Sequence, residues 1–398
     1  MDLSSGYPYF LLKNGLYQKF ETLRNDHVTP VVIMGGGISG ALMAYQLIKN
    51  GIECTVVDKR PIGLGSTSAS TSLLQYEIDT PLHKLIKQIG RDEAIEAYKL
   101  CGKAIDMLKE IAEEIGFEAL KYCNSLYFSH TKSKNEFLKN EFESRNNAGF
   151  DVCYLNEEEI FRKHGFHCKE AIYSTKAAKT DAYLFTHFLH KYNQSKNVKI
   201  YESTNIKNVR HNKTEIELTT DNSYVIRAKK VIYATGYEAV KQVDKSIIKL
   251  MSTYACVSER INNLPDALKE TIFWNTDDPY MYFRTDDQRI IIGGRDENYY
   301  DPEKREKILY KKTDRLKQDF MKLFPGIEFK IQFSWAGTFG STKDGLPYIG
   351  PYEKKPNSYF ALGFGGNGIT FSVLAADMIT RLIKGDDNAI PKMFSFNR

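Results

Sequence analysis

Val31-Val32-Ile33-Met34-Gly35-Gly36-Gly37-Ile38-Ser39-Gly40-Ala41-Leu42 is the stretch whose reading decides the fold. Val31 to Met34 is an uninterrupted apolar run, as a strand buried on both faces requires. The next six residues fit G-x-G-x-x-G, and Ala41, Leu42, Ala44, Tyr45 and Ile48 then recur at helical spacing. Cys54 to Val57 reads as a second strand, which closes a βαβ unit. Gly35 permits the tight turn, Gly37 lets the backbone approach a pyrophosphate, and Gly40 lets helix and strand pack closely. The helix that opens here, at Ile38 and Ser39, turns its free N–H groups and positive dipole end toward phosphate. Asp58, 18 residues beyond Gly40, stands where a carboxylate accepts ribose hydroxyls, and it would repel a 2′-phosphate. This fingerprint admits NAD as well as FAD.

The rest of the composition narrows the function classes. At 398 residues the chain is too long for one small core, so two or three domains are expected, or one nucleotide-binding domain with a second lobe. The net charge of +5 is spread over short, separated Lys-Lys pairs, whereas a nucleic-acid surface would cluster it. Cysteines 54, 101, 123, 153, 168 and 256 form no C-x-x-C pair and no zinc-like grouping with His, which predicts reduced thiols in a cytoplasmic protein and no metal site. Residues 1–30 lack a secretory pattern. The uncharged runs 31–48 and 357–376 are rich in glycine and read as strand-turn-helix units, so no membrane span is predicted.

Further elements follow by periodicity. Helices are predicted after Pro81 and as far as Gly116, over 132–148 and 179–191, and from Asp301-Pro302 to Pro325. Strands are predicted over 120–129, 198–201, 215–219, 224–227, 231–234, 252–260, 280–284 and 289–293, with a hairpin around Asp221-Asn222. Strand 359–362, a glycine turn and helix 369–383 repeat the opening theme. Because nucleotide-type motifs sit at both ends, the cofactor domain must be discontinuous. The expected division is a surface-packed lead-in (1–29), a cofactor domain (30–118, 171–250 and 335–398) and a substrate lobe (119–170 and 251–334).

Three more segments bear on chemistry. Gly63 to Leu74 is a small, hydroxyl-rich stretch that a cofactor could thread past. Ile232 to Gly236 is a strand ending in a small-residue turn. Gly363-Phe364-Gly365-Gly366-Asn367-Gly368 again fits G-x-G-x-x-G but lacks a following strand that ends in an acid, so it reads as a helix N-terminus presented to a bound group.

In order along the chain stand residues 31–58, 65–74, Ala234-Thr235-Gly236, Trp335-Ala336-Gly337, Asp344-Gly345-Leu346-Pro347-Tyr348-Ile349-Gly350 and 363–370. Together they resemble the D-amino-acid oxidase superfamily of FAD-dependent oxidoreductases, which includes glycine, sarcosine and γ-glutamylputrescine oxidases. The similarity covers roughly residues 30 to 385. It implies an α/β (α+β overall) chain in which a glutathione-reductase-like, Rossmann-type FAD domain is interleaved with a substrate lobe built on a mixed or antiparallel sheet. It also implies that the first segments hold the ADP half of FAD and that the last faces the flavin. The cofactor residues implied are Gly35, Gly37, Ile38, Ser39, Gly40, Asp58, Lys59, Ser66, Thr67, Thr71, Ser72, Leu73, Val209, Thr235, Gly236, Gly337 and Phe364 to Thr370, that is Phe364, Gly365, Gly366, Asn367, Gly368, Ile369 and Thr370.

Three departures shape the function expected. Amino-acid oxidases of this type carry an Arg two residues after W-A-G to clamp the substrate carboxylate, and here that residue is Phe339. Members with covalent flavin attach it through a Cys in the same region, but no Cys follows Cys256, which implies non-covalent FAD. The strand that carries a dioxygen-activating Lys in such enzymes reads Arg-Ile-Ile-Ile-Gly-Gly over 289–294, so fast turnover with dioxygen is not implied. Pocket candidates are Tyr76, Tyr280, Tyr282, Arg284, Arg295, Phe339 and Lys343. The expected activity is oxidation of a small primary or secondary amine to an imine by hydride transfer, with dioxygen or another electron acceptor as partner. An NAD-dependent dehydrogenase and a non-catalytic, redox-sensing flavoprotein are the alternatives.

Overall fold

The computed structural model describes residues 1–130, 135–243 and 247–398. Two sheets organise them. In the smaller, of eight strands, five run parallel in the order Lys355–Leu362, Val225–Tyr233, His27–Met34, Cys54–Val57 and Lys199–Tyr201. His27–Met34 is central, and the chain leaves it to one side and returns to the other. A crevice therefore opens at the carboxyl ends of these strands, where α/β sheets bind ligands. The helices Ile38–Lys49, Arg91–Glu114, Ala182–Ser195 and Gly368–Ile383 pack together over one face and share the largest apolar core.

The segments predicted as strands 224–227 and 231–234 are one strand, Val225–Tyr233. Its first half pairs antiparallel with Ile216–Thr220 and alternates buried with outward residues. From Ile226 onward it also pairs parallel with His27–Met34, and it ends in three buried residues, Val231, Ile232 and Tyr233, that pair parallel with Lys355–Leu362 as well. Lys229 is an outward position of the alternating half and marks no break.

The larger sheet has ten strands among the described residues. It runs Ser4–Gly6, Ile331–Ser341, Lys249–Ser258, Arg289–Glu297, Met281–Asp286, Thr271–Asn275, Lys121–Ser129, Glu170–Lys179 and Leu73–Gln75, with Val152–Asn156 also on Glu170–Lys179. Its pairings are antiparallel except that of Thr271–Asn275 with Lys121–Ser129. By hydrogen bonding, residues 170–179 and 331–341 belong with this sheet. The lead-in is not surface packing: Ser4–Gly6 pairs with Trp335 to Gly337, and Phe10 is fully buried.

Lys179 ends a strand and does not begin the predicted helix, which starts at Ala182 after Asp181 accepts a hydrogen bond from Leu184 N–H. Glu170–Lys179 has too many Ala and Lys residues to advertise a strand, and its pairing partners decide its conformation. The helix expected over 132–148 spans Asn135–Asn147, and residues 132–134 lie outside the described ones.

Candidate active site

A cavity of about 470 Å³ begins at the glycine turn after His27–Met34 and reaches the larger sheet. Gly35 has φ +113°, and its N–H donates to Val57 O at 2.8 Å. A Cβ on Gly40 would lie 1.8 Å from the Gly35 carbonyl oxygen, so this helix-to-strand contact has no room for a side chain. A Cβ on Gly37 would stand 2.7 Å from Thr67 Oγ1, which accepts from Ile38 N–H at 3.1 Å. Helix start, glycine and Thr67 thus make a bare cradle at the positive end of the Ile38–Lys49 dipole.

Asp58 follows the strand Cys54–Val57. Its Oδ2 accepts from Gly36 N–H at 2.7 Å and its Oδ1 from Arg60 N–H at 2.8 Å, which leaves further lone pairs for ribose hydroxyls. Burial raises its pKa, and the two N–H groups pull it back. Lys59 is bound to Glu238 at 2.7 Å, and Arg60 reaches the same carboxylate at 3.1 Å. Against the upward push of burial, Arg60 and Lys59 hold the Glu238 carboxyl at about 2. This charged group borders the cavity beside Asp58.

The hydroxyl-rich stretch lies along the cavity through Ser66, Thr67, Thr71, Ser72 and Leu73. Ser66 Oγ is buried there with no hydrogen-bond partner. An orphaned hydroxyl, a glycine cradle and a carboxylate with spare acceptor capacity fit a bound dinucleotide. Thr235, Gly236 and Gly337 also border the cavity, as do Ser39 and Phe364 to Ile369. Asn367 Nδ2 donates to Gln75 O at 3.1 Å and Glu77 O at 2.8 Å, fastening the last glycine turn to the segment after Leu73.

Three implied positions sit elsewhere or work indirectly. Val209 packs in the apolar cluster of the smaller sheet, and Thr204, Asn205 and Ile206 border the cavity instead. Thr370 Oγ1 turns back to Asn367 O at 2.9 Å. Gly40 serves by its packing on Gly35.

The substrate candidates divide as clearly. Tyr280, Tyr282 and Phe339 border the cavity. Tyr76 does not; it is fully buried, stacked on Phe150 at 4.8 Å with the Arg145 guanidinium 5.7 Å from its ring. Arg284 is no surface charge: it is 1% exposed and donates to Thr71 O at 2.8 Å and Thr180 O at 2.6 Å. Arg295 Nε donates to Asp319 Oδ2 at 2.9 Å, away from the cavity. Lys343 is exposed.

Sequence reasoning missed Asp79, Thr253 and Asp296, which share the wall with Tyr280 and Tyr282. Asp79 Oδ2 accepts from Gly366 N–H at 2.9 Å and Oδ1 from Tyr280 Oη at 3.3 Å. Burial raises the pKa of Asp79, while those two donors oppose the rise. Strand alternation gave no signal for Asp296, because the irregular backbone at Gly294 and Arg295 sets its direction.

With one glycine turn after His27–Met34 and another at the helix Gly368–Ile383, the fold and cavity are those of a dinucleotide-binding protein. The profile of the family described as FAD dependent oxidoreductase, the DAO family, matches residues 30–382, and the chain belongs to that family. The dinucleotide that the first fingerprint left open is therefore FAD. The chain is 21% identical over 395 residues to the probable oxidoreductase OrdL of Haemophilus influenzae, covering 96% of this chain and 89% of that one. It is 22% identical over 402 residues to the γ-glutamylputrescine oxidoreductase of Escherichia coli, covering 95% and 89%. In fold it is similar to the crystal structure of glycine oxidase from Geobacillus kaustophilus, with a TM-score of 0.77, 20% identity, and 94% and 99% of the two chains covered. Among the described residues no helix is long and apolar enough to cross a membrane, and no three or more His, Cys, Asp or Glu residues are grouped to hold a metal ion.

Proposed function

We propose that this chain oxidises a small primary or secondary amine to an imine, using FAD held without a covalent link. The observation that carries the reading is the wall facing the last glycine turn. Tyr280, Tyr282, Phe339, Thr253, Asp79 and Asp296 border it, while Arg284 and Arg295 are bound to other partners. An α-amino acid needs a bidentate cation for its carboxylate, and Phe339 cannot provide one. The named relatives that act on amines and amino acids supply the reaction class.

FAD supplies the hydride-accepting chemistry when bound. The chain orients the amine against the aromatic wall and shields it from water. The start of the helix Gly368–Ile383 faces the cavity, where its dipole favours negative charge as it develops. Hydride leaves the carbon beside a neutral nitrogen and the resulting iminium ion hydrolyses in water, so the step requires no dedicated general base. Dioxygen or another acceptor takes the electrons onward. Six free cysteines support a reducing, cytoplasmic setting.

Two measurements check this. Anaerobic mixing should show small amines reducing the flavin at least ~10-fold faster than glycine, sarcosine or proline, the scale of one lost charge-assisted contact. Fast reduction by glycine would sink the substrate reading and leave the FAD assignment standing. Among the described residues no cysteine borders the cavity. Acid precipitation should therefore release all the FAD and leave a colourless pellet; a yellow pellet would overturn the non-covalent link.

A further inference from the structure

We propose that Asp79 and Asp296, with the rings of Tyr280 and Tyr282, form a receiving site for an ammonium group, so that the preferred substrates are diamines. The inference rests on the amine-oxidation reading above and names its substrate class.

Asp296 is the starting point. It borders the cavity, yet its Oδ1 is buried without a hydrogen-bond partner. A buried carboxylate oxygen with no donor is costly unless a ligand supplies one. The backbone has been arranged to put it there. The pairing of Arg289–Glu297 with Lys249–Ser258 shifts register between Ser252 and Tyr254, and Gly294 and Arg295 on the opposite strand have φ +128° and +59°. Such a bulge re-aims the side chains beside it. Arg295 leaves for Asp319 on one side, and Asp296 enters the cavity on the other.

The second carboxylate compounds the problem. Burial pushes the Asp296 carboxyl up to about 7; Thr253 and Lys312 oppose the rise, while Asp79 and Asp278 add to it. Lys312 is occupied elsewhere, with the Glu297 carboxylate and the Arg295 carbonyl oxygen at 2.9 Å. Of the basic side chains at the cavity, Lys59 and Arg60 are bound to Glu238, and Lys241 is exposed on the same short helix as Glu238, Gly236–Gln242. Capping of the glycine turn accounts for Asp79, through Gly366 N–H, but leaves Asp296 unexplained.

An ammonium group answers each point. It offers N–H donors to Asp296 Oδ1, its charge offsets the repulsion between the two carboxylates, and it attracts aromatic faces. The Tyr280 and Tyr282 rings stand 5.8 Å apart and inclined at 48°, which gives the cavity two such rings at this wall. An α-carboxylate brought here would meet like charge. A diamine satisfies the whole site, with one nitrogen held as the cation and the other, neutral, presented for oxidation.

The test uses FAD-loaded protein under anaerobic conditions, with putrescine, n-butylamine and 4-aminobutyrate as probes. Binding is read from perturbation of the flavin absorbance, and turnover from its bleaching. Putrescine should bleach the flavin at least ~10-fold faster than n-butylamine, whose single ammonium group fills the Asp296 site and leaves no second nitrogen for oxidation, and 4-aminobutyrate should bind more weakly than either. Asp296→Asn, nearly identical in shape, should cut the putrescine-to-butylamine ratio of bleaching rates at least ~10-fold. Equal bleaching rates in the unaltered protein, or a ratio that survives Asp296→Asn, would overturn the ammonium site while leaving amine oxidation intact. Tight putrescine binding without bleaching would instead overturn amine oxidation and leave the ammonium site standing. Should Asp296→Asn fail to fold, the ratio in the unaltered protein decides alone.

Discussion

Gly40→Ala should yield almost no folded, flavin-loaded protein, whereas Gly37→Val should fold and lose its flavin. The two glycines stand three residues apart, but a side chain at each meets a different kind of neighbour. At Gly40 the new Cβ falls 1.8 Å from the Gly35 carbonyl oxygen, and Gly35 is anchored through its own N–H to Val57 O at 2.8 Å. Backbone on both sides must move, so the cost reaches or exceeds the ~1–3 kcal/mol typical of overpacking. At Gly37 the obstacle is Thr67 Oγ1 at 2.7 Å, the end of a side chain that can rotate. Folding then survives, but the valine methyl groups occupy the cradle at the start of Ile38–Lys49. The ratio of flavin to protein absorbance, with thermal melts of both variants, separates the two effects. Normal flavin content in Gly37→Val would refute the assignment of this turn to the pyrophosphate.

Arg284→Ala should destabilise the protein by roughly 2–5 kcal/mol and leave its preference between amines and glycine unchanged. The guanidinium ties Thr71 O, at the cavity edge, to Thr180 O at the end of Glu170–Lys179, and it lies 5.3 Å from the Phe10 ring. Removing it leaves two buried carbonyl groups without their charged donor and opens a gap beside Phe10. Denaturant melts and the anaerobic substrate panel measure the two halves of this prediction. Unaltered stability combined with a changed amine-to-glycine ratio would return Arg284 to the substrate pocket.

The parts of the site written in the backbone were legible in the sequence. Gly35, Gly37 and Gly40 have a local reason to be glycine, and Asp58 is placed by the length of one helix and one strand, so spacing alone locates them. The turn Phe364 to Gly368 was legible for the same cause. What remained hidden depends on contacts between distant segments. Arg284 looks like an ordinary charge until the Thr71 and Thr180 carbonyls are brought to it. Tyr76 follows directly on Leu74 and Gln75, close to the cavity in sequence, yet Phe150 and Arg145 claim its ring. Asp296 is hidden by a bulge, which strict alternation does not encode. Val209 lies three residues along a strand that borders the cavity at its beginning, Ile206.

The order of strands in the smaller sheet also governs how the chain must be assembled. Val31 pairs with Lys230, 199 positions later, and Val231 pairs with Ser358, 127 positions further on. During synthesis the apolar edge of His27–Met34 therefore waits, unpaired on the side facing Val225–Tyr233, until more than half the chain has been made. Contacts this distant are slow to close, and an exposed edge is a template for association with other chains. The cavity is lined by segments from both ends, so a cofactor held there can stabilise only the nearly finished protein, by mass action on the native state. Soluble yield should consequently follow the supply of FAD at the moment the last strand and helix emerge, and a chain cut before Lys355 should accumulate as aggregate even though its first βαβ unit is complete.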